Sequence, residues 1–178
     1  MKLVMIRHPV SLANVNGVVH NGIEEGITPA GYEQINKLIV RLDGENFNKG
    51  YSSDAYRCRV LAERIAEERS VPFVYDGLFG EINNGVWGGL SKDEIDRCSL
   101  HLDARPENGE SLSDLAERAT LAARKIVDSG GERNILISHG LFLKVFLGLQ
   151  LGMNPVDAIN KLKFSNCAIS EIELKERG

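Results

Sequence analysis

The sequence predicts an α/β domain, a three-layer α/β/α sandwich built around a mainly parallel sheet. Short apolar segments alternate along the chain with longer segments of helical periodicity, as in strands joined by crossover helices. Two of the apolar segments, KLVMI at 2–6 and RNILIS at 133–138, are predicted to be buried strands. The chain has 178 residues, enough for one well-buried core, so we expect a single domain over 1–178.

Capping residues and prolines mark where helices begin. Thr28-Pro29, Ser91 and Ser111 each begin one, and Asp54 is expected to cap another. Gly130-Gly131 ends the helix that starts at Ser111. The predicted helices therefore lie at about 29–42, 54–69, after 91, 111–129, 141–151 and, briefly, after 154–155.

Three weaker strands complete the predicted sheet. They lie around 49–53 (NKGYSS), at 71–75 (VPFVY) and at 166–174 (NCAISEIEL), where apolar and polar residues alternate as in a strand with one exposed face. A glycine-rich connection, DGLFGEINNGVWGGL at 76–90, follows the second of these strands. The sequence contains no internal repeat, low-complexity tract or linker.

Composition and charge exclude several classes of function. The net charge is −4, so no basic surface invites nucleic acid. The longest apolar stretch, GLFLKVFLGLQLG, contains Lys144 and is too short to span a bilayer. The three cysteines are widely spaced, and the N-terminus has a strand pattern rather than that of a signal peptide. We therefore expect a cytoplasmic protein that binds neither nucleic acid nor a membrane.

Two histidines follow the two clearest strands. Arg7-His8 ends the first strand, and His139-Gly140 follows RNILIS. Ligands of α/β sheets bind beyond the carboxyl ends of the strands, and parallel strands place those ends along one edge. The two histidines are therefore expected to lie together in a binding site.

Arg57 supplies a further charge near the same edge. It falls in the first turn of a predicted helix, where the helix dipole disfavours a cation unless an anion lies nearby. Together with Arg7, His8 and His139, it would form a pocket of donors suited to phosphate, whose oxygens match the fork of a guanidinium group.

The chain resembles the histidine phosphatase superfamily, in the branch that also contains cofactor-dependent phosphoglycerate mutases. The resemblance implies a phosphoglycerate mutase-like fold. It rests on six motifs in the family's order: RHPVSLAN (7–14), ITPAG (27–31), SSDAYR (52–57), EINNGVWGGL (81–90), GES (109–111) and SHG (138–140).

The resemblance implies a phosphomonoesterase that hydrolyses a small phosphorylated metabolite. His8 would attack phosphorus and form a phosphohistidine, with His139 as a further catalytic group. Glu81 would protonate the leaving oxygen and then deprotonate the attacking water, in a loop where Trp87 could partly desolvate it. No metal or cofactor is expected, because arginines supply the positive charge. The residues implied to hold the phosphate are Arg7, Asn14, Arg57 and His139.

Several positions depart from the family's pattern. Pro9 stands where a glycine is usual after the nucleophile, and Val10 replaces an acidic residue. His20 and Asn21, in the substrate loop, differ from the usual Gln-Gly and are candidate substrate-binding residues. The departures affect the identity of the substrate rather than the reaction.

Two other functions are also compatible with the sequence. One is a phosphoglycerate mutase-type phosphotransferase, although the short chain and EINNGVWGGL favour a phosphatase. The other is a non-catalytic phosphate-binding regulator on the same fold, which Pro9 keeps open. Glu110 is the alternative to Glu81 as the general acid.

Overall fold

A computed structural model describes residues 1–20, 26–98 and 103–174. The strands are β1 (Lys2–Arg7), β2 (Lys49–Ser52), β3 (Phe73–Tyr75), β4 (Arg133–Ser138) and β5 (Ile169–Glu173). The helices are α1 (Leu12–Asn16), α2 (Pro29–Arg41), α3 (Tyr56–Arg69), α4 (Lys92–Cys98), α5 (Leu112–Asp128), α6 (Gly140–Gln150) and α7 (Pro155–Lys161). Two short 3₁₀ turns, Gly77–Phe79 and Gly85–Trp87, lie in the glycine-rich connection.

The five strands form one sheet in the order β3-β2-β4-β1-β5. β1 pairs with β4, β4 with β2 and β2 with β3, all in parallel, and β5 runs antiparallel along the edge beside β1. The prediction of a mainly parallel sheet is confirmed. The alternating pattern of the last strand agrees with its place at an edge, where burial is incomplete.

Helices cover both faces of the sheet. Leu3 and Met5 of β1 belong to a core with α5 and α6, whereas Val4 and Ile6, on the other face, pack with α2 and α3. Successive side chains of a strand point to opposite faces, so an almost wholly apolar strand serves two cores at once. This confirms the three-layer arrangement.

Most of the predicted helix caps are present, and one is wrong. Ser111 accepts a bond from the Asp114 amide and Thr28 one from the Gly31 amide, as expected of N-caps. Asp54, in contrast, caps no helix, because α3 begins after Ala55 without a side-chain cap. The amide of Ala55 instead donates a hydrogen bond to the hydroxyl of Ser53 at 3.2 Å.

None of the helices within the three described ranges is both long and apolar enough to cross a membrane.

Candidate active site

The carboxyl ends of β1, β4 and β2 lie side by side and carry the predicted site residues. The amide of His8 donates to the carbonyl of Ser138 at 2.9 Å, and that of Ser53 donates to Ile137 at 3.1 Å. These bonds continue the parallel ladders beyond the strands. As a result the rings of His8 and His139 lie 5.2 Å apart between centroids, although the two residues are far apart in the sequence.

A cleft of about 720 Å³ opens at this edge, and a smaller hollow of about 280 Å³ adjoins it. His20 and Glu81 line both spaces, so the two are direct neighbours. The predicted residues that the structure brings together here are Arg7, His8, Asn14, His20, Arg57, Glu81 and His139. Asn21 lies outside the described residues.

His8 is buried, and one of its ring nitrogens is fixed. Its Nδ1 lies 2.7 Å from the carbonyl oxygen of Pro9, which can only accept, so Nδ1 carries the proton and Nε2 keeps its lone pair. Burial lowers the pKa of His8 well below its usual value, and the charges of Arg57 and Arg7 lower it further, against the opposing hydrogen bond to Pro9. The imidazole is therefore neutral near pH 7.

The loop after His8 is held by backbone groups, so Pro9 and Val10 are compatible with it. The amide of Val10 donates to the Gln34 side chain at 2.9 Å, and its carbonyl accepts from the amide and hydroxyl of Thr28, each at 3.2 Å. Proline keeps its carbonyl and loses only an N–H. Neither replacement removes a group that holds the loop in place.

His139 is fully buried against the end of β2. Its Nε2 lies 2.9 Å from the hydroxyl of Ser53, whereas its buried Nδ1 has no hydrogen-bond partner among the described residues. Burial lowers the pKa of His139 well below its usual value, and the charges of Arg57 and His8 act in the same direction. A second neutral imidazole thus lies beside His8 with one nitrogen unused.

The two arginines place positive charge against these rings. Arg7 donates from Nη1 to the carbonyl of Phe164 at 2.8 Å, and Arg57 is only 2% exposed. A Cβ on Gly140 would lie 3.2 Å from Nε of Arg7, so the glycine of the SHG motif lets the guanidinium pack closely against the start of α6. A buried cation such as Arg57, with the half-buried Arg7 nearby, favours an anionic ligand.

Asn14 is held in place by residues from both ends of the chain. Its Oδ1 accepts from the amide of Ser11 at 3.2 Å and from Nδ2 of Asn166 at 3.1 Å. Asn166 also donates to the carbonyl of His8 at 2.9 Å. Asn14 lines the cleft, and its side-chain NH2 group is the part of the side chain that can donate to a ligand.

Glu81 lies at the N-terminus of α6, whose amides hold its carboxylate. Its Oε1 accepts from the amide of Phe142 at 2.9 Å and its Oε2 from that of Leu141 at 3.1 Å. Trp87 lines a separate hollow with Ile95. Unpaired amides of a first helical turn hold a carboxylate well, and they fix its position at the rim of the cleft.

Glu110, the alternative to Glu81, is occupied elsewhere. Its two carboxylate oxygens accept from Nε and Nη2 of Arg118 at 2.8 and 2.7 Å, and Oε2 also accepts from the amide of Asn83. Burial would raise the pKa of Glu110, but these hydrogen bonds outweigh it and lower the pKa. Arg118 also donates to the carbonyls of Gly80 and Glu81, so this pair anchors the loop that carries Glu81.

The family model that matches this chain is that of the histidine phosphatase superfamily (branch 1), over residues 3–178. The chain belongs to this superfamily.

The proteins that this chain is similar to carry names of both mutases and phosphatases. The Probable phosphoglycerate mutase GpmB of Shigella boydii is 27% identical, over 99% of this chain and 86% of its own. The alpha-ribazole phosphatase of Shigella flexneri shares the fold with a TM-score of 0.88 at 22% identity, over 99% and 92% of the two chains. A mycobacterial glucosyl-3-phosphoglycerate phosphatase, solved with VO3, has a TM-score of 0.85 at 21% identity, over 97% and 90%.

Several residues of the site were not predicted from the sequence motifs. Ser53 lies within SSDAYR, whereas Asn166 lies outside the six motifs. The partners of both are far away in the sequence: His139 for Ser53, and His8 and Asn14 for Asn166. Three lysines of the cleft lie outside every motif, so no spacing could have marked them: Lys92, Lys144 and Lys163. Within the described ranges no three His, Cys, Asp or Glu side chains are grouped so as to hold a metal ion.

Proposed function

We propose that this chain is a phosphomonoesterase that hydrolyses a small phosphorylated metabolite through a phosphohistidine on His8. The observation that carries the proposal is the bond from Nδ1 of His8 to the Pro9 carbonyl. That bond, together with burial, leaves a neutral imidazole whose Nε2 lone pair is available beside two arginines.

In the first step Nε2 of His8 attacks phosphorus and the P–O ester bond breaks. The imidazole becomes positively charged as the N–P bond forms, and the Pro9 carbonyl stabilises the proton that stays on Nδ1. The leaving oxygen takes a proton from Glu81. In the second step Glu81 accepts a proton from water, the water oxygen bonds to phosphorus, the N–P bond breaks and inorganic phosphate leaves.

The phosphoryl oxygens need donors in both steps. Arg7 and Arg57 supply charge-assisted hydrogen bonds, and Asn14 adds a neutral donor. We infer that the proton of the His139 ring is on Nδ1 and that the Ser53 hydroxyl, which accepts from the amide of Ala55, donates its own proton to Nε2; Sγ of Cys58 also lies 3.5 Å from Nε2. The unused Nδ1–H then donates to a phosphoryl oxygen.

A mutase is the second candidate, and the name of the GpmB relative favours it. Both activities would share the phosphohistidine, and they differ in whether water or a second hydroxyl of the substrate accepts the phosphoryl group. Incubation with 3-phosphoglycerate separates them. We expect release of inorganic phosphate from phosphomonoesters, and conversion to 2-phosphoglycerate without phosphate release would replace the proposal with the mutase.

The test of the mechanism is the chemistry of the phosphoenzyme. Rapid quench of wild type with a ³²P-labelled phosphomonoester should give an acid-labile, base-stable label on His8, and His8→Ala should show neither label nor turnover. A label on a serine or a cysteine, or full turnover by His8→Ala, would exclude this mechanism. Circular dichroism of the variant controls for folding.

A further inference from the structure

The thiol of Cys58 lies against His139 and has no part in the proposed phosphoryl chemistry. Cys58 is on the first turn of α3, directly after Arg57, and is completely buried. Its Sγ lies 3.5 Å from Nε2 of His139, the same nitrogen that contacts the hydroxyl of Ser53 at 2.9 Å. Three buried polar groups, from α3 and from the ends of β2 and β4, therefore meet at one point.

The contact with Ser53 does not by itself fix the tautomer of His139. A hydroxyl has one proton and two lone pairs, and the amide of Ala55 occupies one of the lone pairs of Ser53. The second lone pair can accept a proton from Nε2, in which case the hydroxyl proton must point elsewhere. In that tautomer Nδ1 carries a lone pair and repels a phosphoryl oxygen instead of donating to it.

The Cys58 thiol can occupy the second lone pair of Ser53, because the thiol keeps its proton. Burial raises the pKa of Cys58 to about 12, against the opposing charge of Arg57. The thiol also forms a hydrogen bond with the Ser53 side chain. Near pH 7 it is therefore an S–H group, which can donate to a hydroxyl oxygen and is only a weak acceptor.

The opposite direction of these hydrogen bonds is less favourable. If Nε2 gave a proton to Ser53, the Ser53 hydroxyl would have only the weak acceptor Sγ for its own proton, and the thiol would lose an oxygen acceptor. Cys58, Ser53 and His139 are each 0% exposed, so bulk solvent cannot compensate for a poor partner. The hydrogen bonds therefore have a preferred direction, from Cys58 through Ser53 to His139.

We propose that Cys58 is a positioning residue: its thiol donates to the Ser53 hydroxyl, which donates to Nε2 of His139 and so keeps the ring proton on Nδ1. We call these two hydrogen bonds the thiol relay. The inference rests on the proposed function only for the use of Nδ1–H by a phosphoryl oxygen. The relay itself is a property of the protein without substrate.

The ¹⁵N chemical shifts of the His139 ring test the thiol relay without substrate. Wild type should hold His139 in the Nδ1–H form. Cys58→Ala removes the donor and frees the second lone pair of Ser53, so the Nδ1 and Nε2 shifts should move toward each other as both tautomers become populated. Cys58→Ser keeps a donor and should restore the wild-type shifts. If Cys58→Ala does not fold, as judged by thermal unfolding, Cys58→Val replaces it.

Cys167→Ala is the matched control. Cys167 is also buried and belongs to the same core cluster, and burial alone raises its pKa to about 12. Its substitution should leave the His139 shifts unchanged. Unchanged shifts in Cys58→Ala, or a failure of Cys58→Ser to restore them, would overturn the relay, because the second result would assign the effect to packing.

Infrared absorption of the S–H stretch measures the donor directly. The frequency of this band falls when a thiol donates a hydrogen bond. The band that disappears in Cys58→Ser should therefore lie below that of ethanethiol in an apolar solvent, and it should shift in Ser53→Ala. A band that Ser53→Ala leaves in place would show that the thiol donates elsewhere, and it would exclude the relay.

Activity separates failure of the relay from failure of the proposed function. Cys58→Ala should lower kcat about threefold with a smaller effect on KM, because the wrong tautomer reduces the active fraction, and Cys58→Ser should recover it. Shifted resonances in Cys58→Ala without turnover by wild type would support the relay and exclude the phosphatase. Turnover by wild type with unchanged resonances in Cys58→Ala would exclude the relay and support the phosphatase.

Discussion

Nδ1 of His8 donates to the carbonyl oxygen of Pro9, the next residue, across 2.7 Å. The bond uses a group that every residue has, so it does not depend on the glycine usual at this position. Proline lacks an amide N–H, and the loop is held through Val10, which bonds to Gln34 and Thr28.

We therefore expect Pro9→Gly to keep kcat/KM within about threefold of wild type, with a small loss of stability because glycine gains freedom in the unfolded chain. Steady-state hydrolysis of p-nitrophenyl phosphate and thermal unfolding check the two parts. A large gain in activity would mean that Pro9 restricts the nucleophile, and it would reopen the regulator as a function of the natural chain.

Substrates with different leaving groups can show whether Glu81 or Glu110 is the general acid. Glu81→Gln should slow phosphorylation of His8 by an alkyl phosphate more than by p-nitrophenyl phosphate, by about 10²-fold or more, because an alkoxide needs a proton and a phenolate hardly does. Single-turnover phosphoenzyme formation is the measurement, since Glu81 is also proposed to act as the base in hydrolysis.

Glu110→Gln is the matched control for this comparison. Its carboxylate is bound to Arg118, so the substitution should loosen the loop of Glu81 and affect both esters alike. Equal losses for Glu81→Gln on the two esters would remove Glu81 from the acid role.

Ser53→Ala tests the orientation of His139. Loss of the hydroxyl at 2.9 Å should free the ring to take the other tautomer and lower kcat about tenfold with a smaller effect on KM. The ¹⁵N chemical shifts of the His139 ring report the tautomer directly. Ser52→Ala is the control, because the Ser52 hydroxyl donates to a backbone carbonyl, that of Ser53. An unchanged tautomer in Ser53→Ala would refute this assignment.

Two buried neutral histidines should make stability depend on pH. Burial, with the charge of Arg57, lowers the pKa of both His8 and His139 in the folded protein. The unfolded chain therefore binds protons first as the pH falls below about 6.5, and each histidine removes up to about 1.4 kcal/mol of the free energy of unfolding per pH unit below that value.

Urea unfolding between pH 7.5 and 5 measures this effect, in a buffer without phosphate, since a bound anion would stabilise the folded state. Protonation of carboxylates with lowered pKa values also destabilises the fold at low pH. The pH dependence of wild type is therefore compared with that of the double variant His8→Asn/His139→Asn. The double variant should lose less stability below pH 6.5 than wild type. Parallel curves would show that folding does not lower the pKa values of the two rings.

The sequence by itself determined the architecture and the chemical groups of the site. Strand and helix patterns, N-caps such as Ser111 and the residues that follow β1 and β4 are encoded within a few neighbouring positions. Periodicity and capping chemistry act over that same short range. The proximity of His8 and His139 was predicted from the rule that the carboxyl ends of parallel strands lie along one edge of the sheet.

Only the tertiary structure decided what each group contacts. Glu81 lies at the start of α6 and Ser53 faces His139, because strand order and helix packing join residues 60 and 86 positions apart. The three cleft lysines lie outside the motifs because each is on a different element, and only the packing of these elements brings them to one cleft. A local pattern specifies a segment, whereas a charge cluster is specified by the whole fold.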